Sequence, residues 1–562
     1  TWILLVAVAF SAQFLCHIPI FLTCIITLFI VTFLSFDYSL LKPELGKLLG
    51  FWVLVGLFLL CITALHWMPM MELELYIYRA DNGATFTSLP PAAFLTGFIP
   101  STIQYPELVI YPGIGLLFFA GINGTSPWKD RVKRKWLWIF VIGLLLSLGE
   151  YTPLYNLIFK WNPGISLLRI PSRWWLLVIT ALAVLSADAL ERIEIQVGVD
   201  KRKLLIYPII LLILNAAALT IRLLLGDQIP FNPAWTVGAL LIISLLLILK
   251  IPPSLRISLI GMCCLFESAL IGFTMVNPVP REEITALTPL ETRLASLLDS
   301  DERYYAPLTD IATLKNVTAG FMAIDGYDYY RFDAYTRLLK NIAGCAYIGE
   351  APPAGMTVQE SNQNCFQGQV HYDWLAMLNV HYLVLPTNNT ISDQYPSLYS
   401  DTLNKIIELH HPFGRAFSAQ EVRAVTENNC LTTLGHINLE KTTLITGNTN
   451  LVTPSGKIKI IESSRSVNGE TFLVDASAEA FLVRSEVWAP GWKARIDDQP
   501  ATVLQANCAL QGVWVPQGTH TITFNYYPDG YKYGKWISIS SLILLVIYYL
   551  MRATILKRVL FK

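Results

Sequence analysis

Apolar residues gather in runs at about 2–16, 18–36, 48–66, 106–122, 136–150, 174–190, 204–225, 236–250 and 257–277, with a last run near 535–551. A hydrocarbon core about 30 Å thick needs roughly 17–25 helical residues per crossing. The first two runs meet around His17, Ile18 and Pro19. The pattern predicts about ten membrane-spanning helices. Between 278 and 534 the long runs stop. Over 278–415, helical stretches such as 290–298 alternate with short apolar runs such as 381–385, which predicts a mixed α/β region. Over 416–534 the period becomes two, at 457–461, 470–474, 481–487 and 521–526, with turn residues at 497–500 and 516–518. That reads as an antiparallel β-sandwich.

The expected fold is therefore a polytopic α-helical membrane protein with a large extracytoplasmic α/β plus β-sandwich domain before the last helix. Its parts are a transmembrane bundle (1–277), a mixed α/β region (278–415), a β-sandwich (416–534), and a terminal helix with a basic cytoplasmic tail (535–562). Composition agrees: 54% of the 562 residues are hydrophobic and only 15% are charged, against roughly 25% charged in soluble proteins. An ordinary soluble enzyme and a disordered chain are both excluded. Lys+Arg and Asp+Glu are equal at 41, so no net charge favours nucleic acid.

Loop charge orients the helices. Lys129 to Lys135, Lys201 to Lys203, Lys250 with Arg256, and Arg552 with Lys557, Arg558 and Lys562 fall on one side, which basic short loops mark as cytoplasmic. Loops 67–105, 151–173 and 226–235, and the segment 278–534, are then outside a multi-pass cell-membrane protein. The chain starts at Thr1 within an apolar run, without Met or a basic leader, and is expected to be N-terminally truncated. Cys16, Cys24, Cys61, Cys263 and Cys264 lie in spans, as small apolar packers. Cys345, Cys365, Cys430 and Cys508 lie outside and permit two disulfides. Of three possible pairings, Cys345–Cys365 with Cys430–Cys508 is preferred. No zinc-ligand spacing occurs, and no metal site is expected.

Several motifs carry a resemblance. They are Trp488-Ala489-Pro490-Gly491-Trp492-Lys493-Ala494-Arg495-Ile496-Asp497, then Pro516-Gln517-Gly518-Thr519-His520-Thr521, then Tyr526-Tyr527-Pro528 before the terminal helix. Upstream are Leu146-Ser147-Leu148-Gly149, Pro163-Gly164, Arg169-Ile170-Pro171-Ser172-Arg173, Gly326-Tyr327-Asp328, the run from Leu378 to Val384, and Glu267. In order and spacing, over most of the chain, these resemble the YfhO family of bacterial membrane proteins. Asp498-Gln499 departs from it, where the family usually has Gly after Asp. The family is similar to C-type glycosyltransferases, which take a sugar from a polyprenyl-phosphate carrier outside the membrane. The resemblance implies a lipid-linked sugar as donor substrate and an envelope glycan or polymer as acceptor. It implies no cofactor, and leaves a divalent metal open. In such enzymes the catalytic carboxylate lies in the first external loop. This sequence is expected to begin after that loop, which leaves the catalytic base unassigned.

Arg169 and Arg173 flank Pro171 at the start of a span. Two arginines there make chemical sense if an anion joins them, because guanidinium and free backbone N–H groups both bind phosphate. Snorkelling to headgroups, with Trp174 and Trp175 as an interfacial belt, is the alternative. Arg79 could help neutralise a phosphate, or pair with Asp81 in a solvated loop. Glu150, beside Tyr151, could hold a sugar hydroxyl or a metal, or be an interfacial carboxylate with neither role. Glu72 and Glu74 are weak substitutes for a base. Glu267 lies deep in its span, where an ionised carboxylate costs at least about 2.5 kcal/mol; an interhelical hydrogen bond through Asn215 is expected. Trp488, Trp492, Trp514 and Tyr526 could stack on sugars or form core. Asp497-Asp498 reads as a turn. Two functions remain: a lipid-linked-sugar glycosyltransferase, or a non-enzymatic envelope transporter or scaffold with a glycan-binding β-sandwich. Membrane lipids are partners in either case.

Overall fold

The computed structural model describes residues 43–78, 88–98, 110–123, 130–153, 171–194, 201–224, 233–275, 280–307, 319–324, 331–345, 365–366, 370–389, 395–447 and 452–560. The chain forms two compact units. One comprises Thr1–Leu59 with Ala80–Pro278, the other Leu60–Arg79 with Val279–Lys562.

Helix α1 (Pro43–Ile62), mostly in the first unit, is followed across Thr63 by α2 (Ala64–Leu73), which belongs to the second. The first unit continues with α3 (Ile114–Asn123), α4 (Arg131–Ser147), α5 (Trp175–Glu194), α6 (Lys201–Leu224), α7 (Ala234–Ile248) and α8 (Pro253–Met275). Asp130 caps α4 by accepting from the Lys133 backbone N–H at 3.4 Å. Gly143 lets α4 and α5 approach closely, since a Cβ there would sit 2.7 Å from that of Leu177. Ile139 and Leu146 then bury against Leu177, Val178 and Ala181. A second core joins Ile114 and Phe118 of α3 to Leu211, Leu240, Ile243 and Ile260. Away from these cores apolar side chains stay exposed, Ile213 at 62% and Leu265 at 72% among them, as suits a lipid-facing surface.

Among the described residues, Ile206–Leu224 and Pro253–Ile271 are long and apolar enough to cross a membrane. Leu49–Ile62 with Ala64–Tyr76 makes a third if that pair, bent by 74°, is one span. The runs 2–16 and 18–36 lie outside the described residues, so ten crossings remain an expectation. The run 106–122 is not one long helix. Its described part is non-helical up to Gly113, which adopts φ +94°, and only then enters the ten-residue α3.

In the second unit, a mixed four-stranded sheet has the order Arg303–Tyr305, Val380–Pro386, Asn404–Glu408, Ser397–Ser400. Two larger sheets follow, of seven and five strands. The expected strands appear as Ile458–Ser466, Gly469–Ala476, Ala480–Val487 and Gly518–Tyr526. Ala480–Val487 explains the packing. Ala480 and Leu482 join Val474, Ile522 and Phe524 in a core between the two larger sheets. Phe481 and Val483 point the other way, into a core with Leu338, Trp374, Leu383 and Ile407 of the α/β region. Successive strand residues face opposite sides, so a strand covered on both reads as a continuous apolar run. Core packing thus runs across residue 415. Cys345 pairs with Cys365, and Cys430 with Cys508.

Charge is buried in this unit as well. Arg303 Nη2 binds Glu486 Oε1 at 2.6 Å, Arg415 Nη2 binds the same oxygen at 2.7 Å, and Arg484 Nε binds Glu470 Oε2 at 2.7 Å. Arg303 also donates to the Leu378 and Ser485 carbonyls, and so ties the small sheet to the seven-stranded one. Burial works to raise the Glu486 pKa, but Arg303, Arg415 and Arg484 outweigh it and hold the carboxyl below its ordinary value.

The last helix, α9 (Asp529–Leu560), packs on α2 through small residues. A Cβ on Gly530 would lie 2.7 Å from the Met68 carbonyl oxygen, and one on Gly534 would lie 2.9 Å from Leu65 Cα. Ser538 Oγ accepts from Leu65 N at 3.0 Å. Such Gly-x-x-x-Gly spacing lets membrane helices bring their backbones together. Replacing Gly534 by Ala is expected to destabilise the protein by about 1–3 kcal/mol. Gly238→Ala in α7, where a Cβ would meet nothing within 4 Å, should be neutral or stabilising by up to about 1 kcal/mol. Thermal unfolding in detergent compares the two; equal effects would remove the packing argument.

Candidate functional site

In the first unit, α4 ends in a cap made by its own sequence. Ser147 Oγ donates to the Leu144 carbonyl at 2.8 Å, and Thr152 Oγ1 donates to that of Gly149 at 3.1 Å. Gly149 takes φ +55°. A Cβ there would collide with Ser88 Oγ and stand 2.8 Å from two Pro171 ring atoms, so conformation and space both demand glycine. The Leu89 N–H donates to the Ser147 carbonyl at 3.1 Å. Pro171–Trp174 forms a 3-10 turn that runs into α5. Two segments far apart in sequence, 146–150 and 171–175, thereby meet on the segment that starts at Ser88.

Arg173 is half-buried in that turn. Trp174 is only 6% exposed and packs in the α4–α5 core, not in a lipid-facing belt. Trp175 packs against Phe94 (ring centroids 6.2 Å apart) and the cluster of Leu89, Ala93 and Ile110. Glu150 follows Gly149 in its 3-10 turn, so its backbone belongs to this junction. Arg169 and Arg79 lie outside the described residues.

Glu267 joins the same neighbourhood through Tyr111, which follows Ile110. The Tyr111 hydroxyl donates to Glu267 Oε1, and the backbone N–H of Ile114, first residue of α3, reaches Oε2 at 3.3 Å. The expected Asn215 partner is corrected: Asn215 Nδ2 donates to the Phe98 carbonyl at 2.9 Å. The first N–H groups of a helix lack intrahelical acceptors, and a carboxylate from α8 meets that need better than a side-chain amide. Tyr111 was not anticipated; the Tyr111-Pro112-Gly113 turn signal could have marked where α3 starts.

In the second unit, the segment from Trp488 to Trp492 makes the joint between the sheets and α9. Gly491, at φ +100°, lies against Pro528, where a Cβ would come within 2.9 Å of Pro528 Cα. Tyr527 N donates to the Gly491 carbonyl at 2.8 Å. The Trp488 ring packs on Tyr76 at 5.5 Å, and Trp492 on Tyr526 at 5.3 Å. Arg484 lies 4.5 Å from the centre of the Trp492 ring, and Trp514 packs on Phe481. These four aromatics are committed to protein contacts. Glu72 accepts from Gly530 N at 2.7 Å and so caps α9; Glu74 is exposed at the end of the same segment. Asp497 and Asp498, at φ +46° and +66°, form a tight hairpin turn of the kind that needs two left-handed residues. The hydrogen bond from His520 holds Asp497 below the usual carboxylate range and raises His520. Among the described residues no three His, Cys, Asp or Glu side chains gather as a metal-binding group.

No curated protein matches the sequence. A similar solved structure is the single-particle cryo-EM structure of arabinofuranosyltransferase AftD from mycobacteria, at 11% identity and a TM-score of 0.35. It is matched over 93% of this chain and 44% of its own, so this chain spans less than half of that protein's length. Over residues 429–538, which hold the aromatic joint, most of the two larger sheets and the start of α9, the chain matches the family described as bacterial membrane protein YfhO.

Proposed function

We propose that this is a glycosyltransferase-like membrane protein that receives a sugar on a polyprenyl-phosphate carrier and passes it to an envelope glycan at the outer face. The observation that carries the reading is the junction at Gly149 and Pro171, which brings the Arg173 turn and the Glu150 turn together. A guanidinium suits a phosphate oxygen pair, and Glu150, whose backbone belongs to this junction, is proposed to bind sugar hydroxyls. Arg169 and Arg79 are proposed as further phosphate contacts. No cofactor is proposed; the lipid-linked sugar is a substrate. The outward orientation of 278–534 is proposed from loop charge, and two disulfides suit an oxidising compartment. The scaffold alternative needs a free aromatic face for glycans, and Trp488, Trp492, Trp514 and Tyr526 are already packed against protein groups.

Donor binding by the full-length protein tests this. Arg173→Lys keeps the charge and loses the fork, which should cost about 1.5–3 kcal/mol, or roughly ten- to a hundredfold in affinity. If the variant binds polyprenyl-phosphate sugar as the parent does, Arg173 does not grip the donor and the site assignment fails.

A further inference from the structure

Among the described residues, two polar groups at the Arg173 turn find no hydrogen-bond partner. Ser172 is 4% exposed, and neither its hydroxyl nor the buried Trp175 indole N–H makes a hydrogen bond. An unmet buried donor is destabilising, so a ligand is the natural complement. The two residues are three apart on a turn that runs from 3-10 into α-helix, which places them on one face. That face is the one turned to Phe94, Leu89 and Ile110, because Trp175 packs there. An indole N–H can only donate, so the ligand must present acceptors. Ser172 can donate beside it, and the guanidinium of Arg173 lies between them in sequence. Two donors on that face match two oxygens of a phosphate ester, and Arg173 is the cationic side chain next to them in sequence.

We propose that Ser172 Oγ–H and Trp175 Nε1–H are donors to the phosphate of the lipid carrier, completing with Arg173 a three-point phosphate cradle. The proposal rests on the carrier reading given under Proposed function and adds two binding residues to it.

The test uses full-length protein in phosphatidylcholine nanodiscs, titrated with decaprenyl monophosphate. Ser172→Ala and Trp175→Phe, which keep the local shape, should each weaken binding about tenfold, the scale of one bond to a charged acceptor. Ser172→Ala should also raise the Tm of the ligand-free protein, since it removes an unpartnered hydroxyl. A hydroxyl with a structural role would do the reverse, so a lowered ligand-free Tm overturns the proposal. If both variants bind like the parent while Arg173→Lys is weakened, the cradle is wrong and the carrier reading stands. If the parent does not bind the carrier phosphate, the reading and the cradle fall together. Inorganic phosphate and phosphatidylglycerol nanodiscs are the remaining arms. Variant effects of equal size on either would assign the donors to free phosphate or to headgroups, and would overturn the carrier assignment.

Discussion

Replacing Glu486 by Gln is expected to destabilise the folded chain by about 3–5 kcal/mol, the cost of removing one partner from a buried ionic network. Glu486 Oε1 serves Arg303 and Arg415 at once, at 2.6 and 2.7 Å. Gln keeps the shape and an acceptor oxygen, so packing barely changes. What is lost is the counter-charge of two buried guanidinium groups, with Glu470 left alone among three arginines. The same residue predicts a pH effect. Its folded-state pKa lies below the ordinary value because of those arginines, while in the unfolded chain it titrates at about 4.3. Its stabilising contribution is therefore complete above the unfolded value and is lost as pH falls through the folded one. Thermal unfolding from pH 7 down into the acid range should show the parent losing stability more steeply than Glu486→Gln. Parallel curves would mean that Glu486 is not a charged partner in the folded state.

Removing the Cys430–Cys508 bridge is the second large effect. It links residues 78 apart, and chain-entropy arithmetic for a loop of that length gives about 4.5 kcal/mol. The Cys345–Cys365 bridge closes 20 residues, for which the same relation gives about 3 kcal/mol. Double Cys→Ser variants of each pair, compared by denaturant unfolding, should rank in that order. The longer bridge also pins the helix Glu427–Leu434 beside the loop that leads into the strand Leu510–Val515, which adds to the expected loss. The reverse ranking would show that residual structure in the unfolded chain, and not loop length, controls the effect.

Local patterning made much of the architecture legible in advance. The helix 290–298 was readable because burial of one side imposes a period on neighbouring residues, and the strand 481–487 because a strand covered on both faces begins as a short apolar run. The Asp497-Asp498 turn was readable because those side chains favour it, and an even cysteine count outside the spans limited the pairings to three. The same reading took 106–122 for a full span, since an apolar run does not reveal where Gly113 breaks the backbone. At the candidate site, the sequence named Arg173 and Glu150 but not the contact that unites their turns. That contact depends on a missing Cβ at Gly149 meeting Pro171, a relation between residues more than twenty apart. Glu267 shows the same division. Its depth in an apolar run demanded a polar partner, and sequence alone favoured Asn215. The backbone N–H of Ile114 satisfies it, and backbone groups leave no trace in residue identity. Periodicity and composition therefore determined the element types, because each depends on near neighbours. The tertiary structure decided which groups meet, because an unsatisfied N–H, a buried guanidinium or a missing Cβ finds its complement only when distant segments pack.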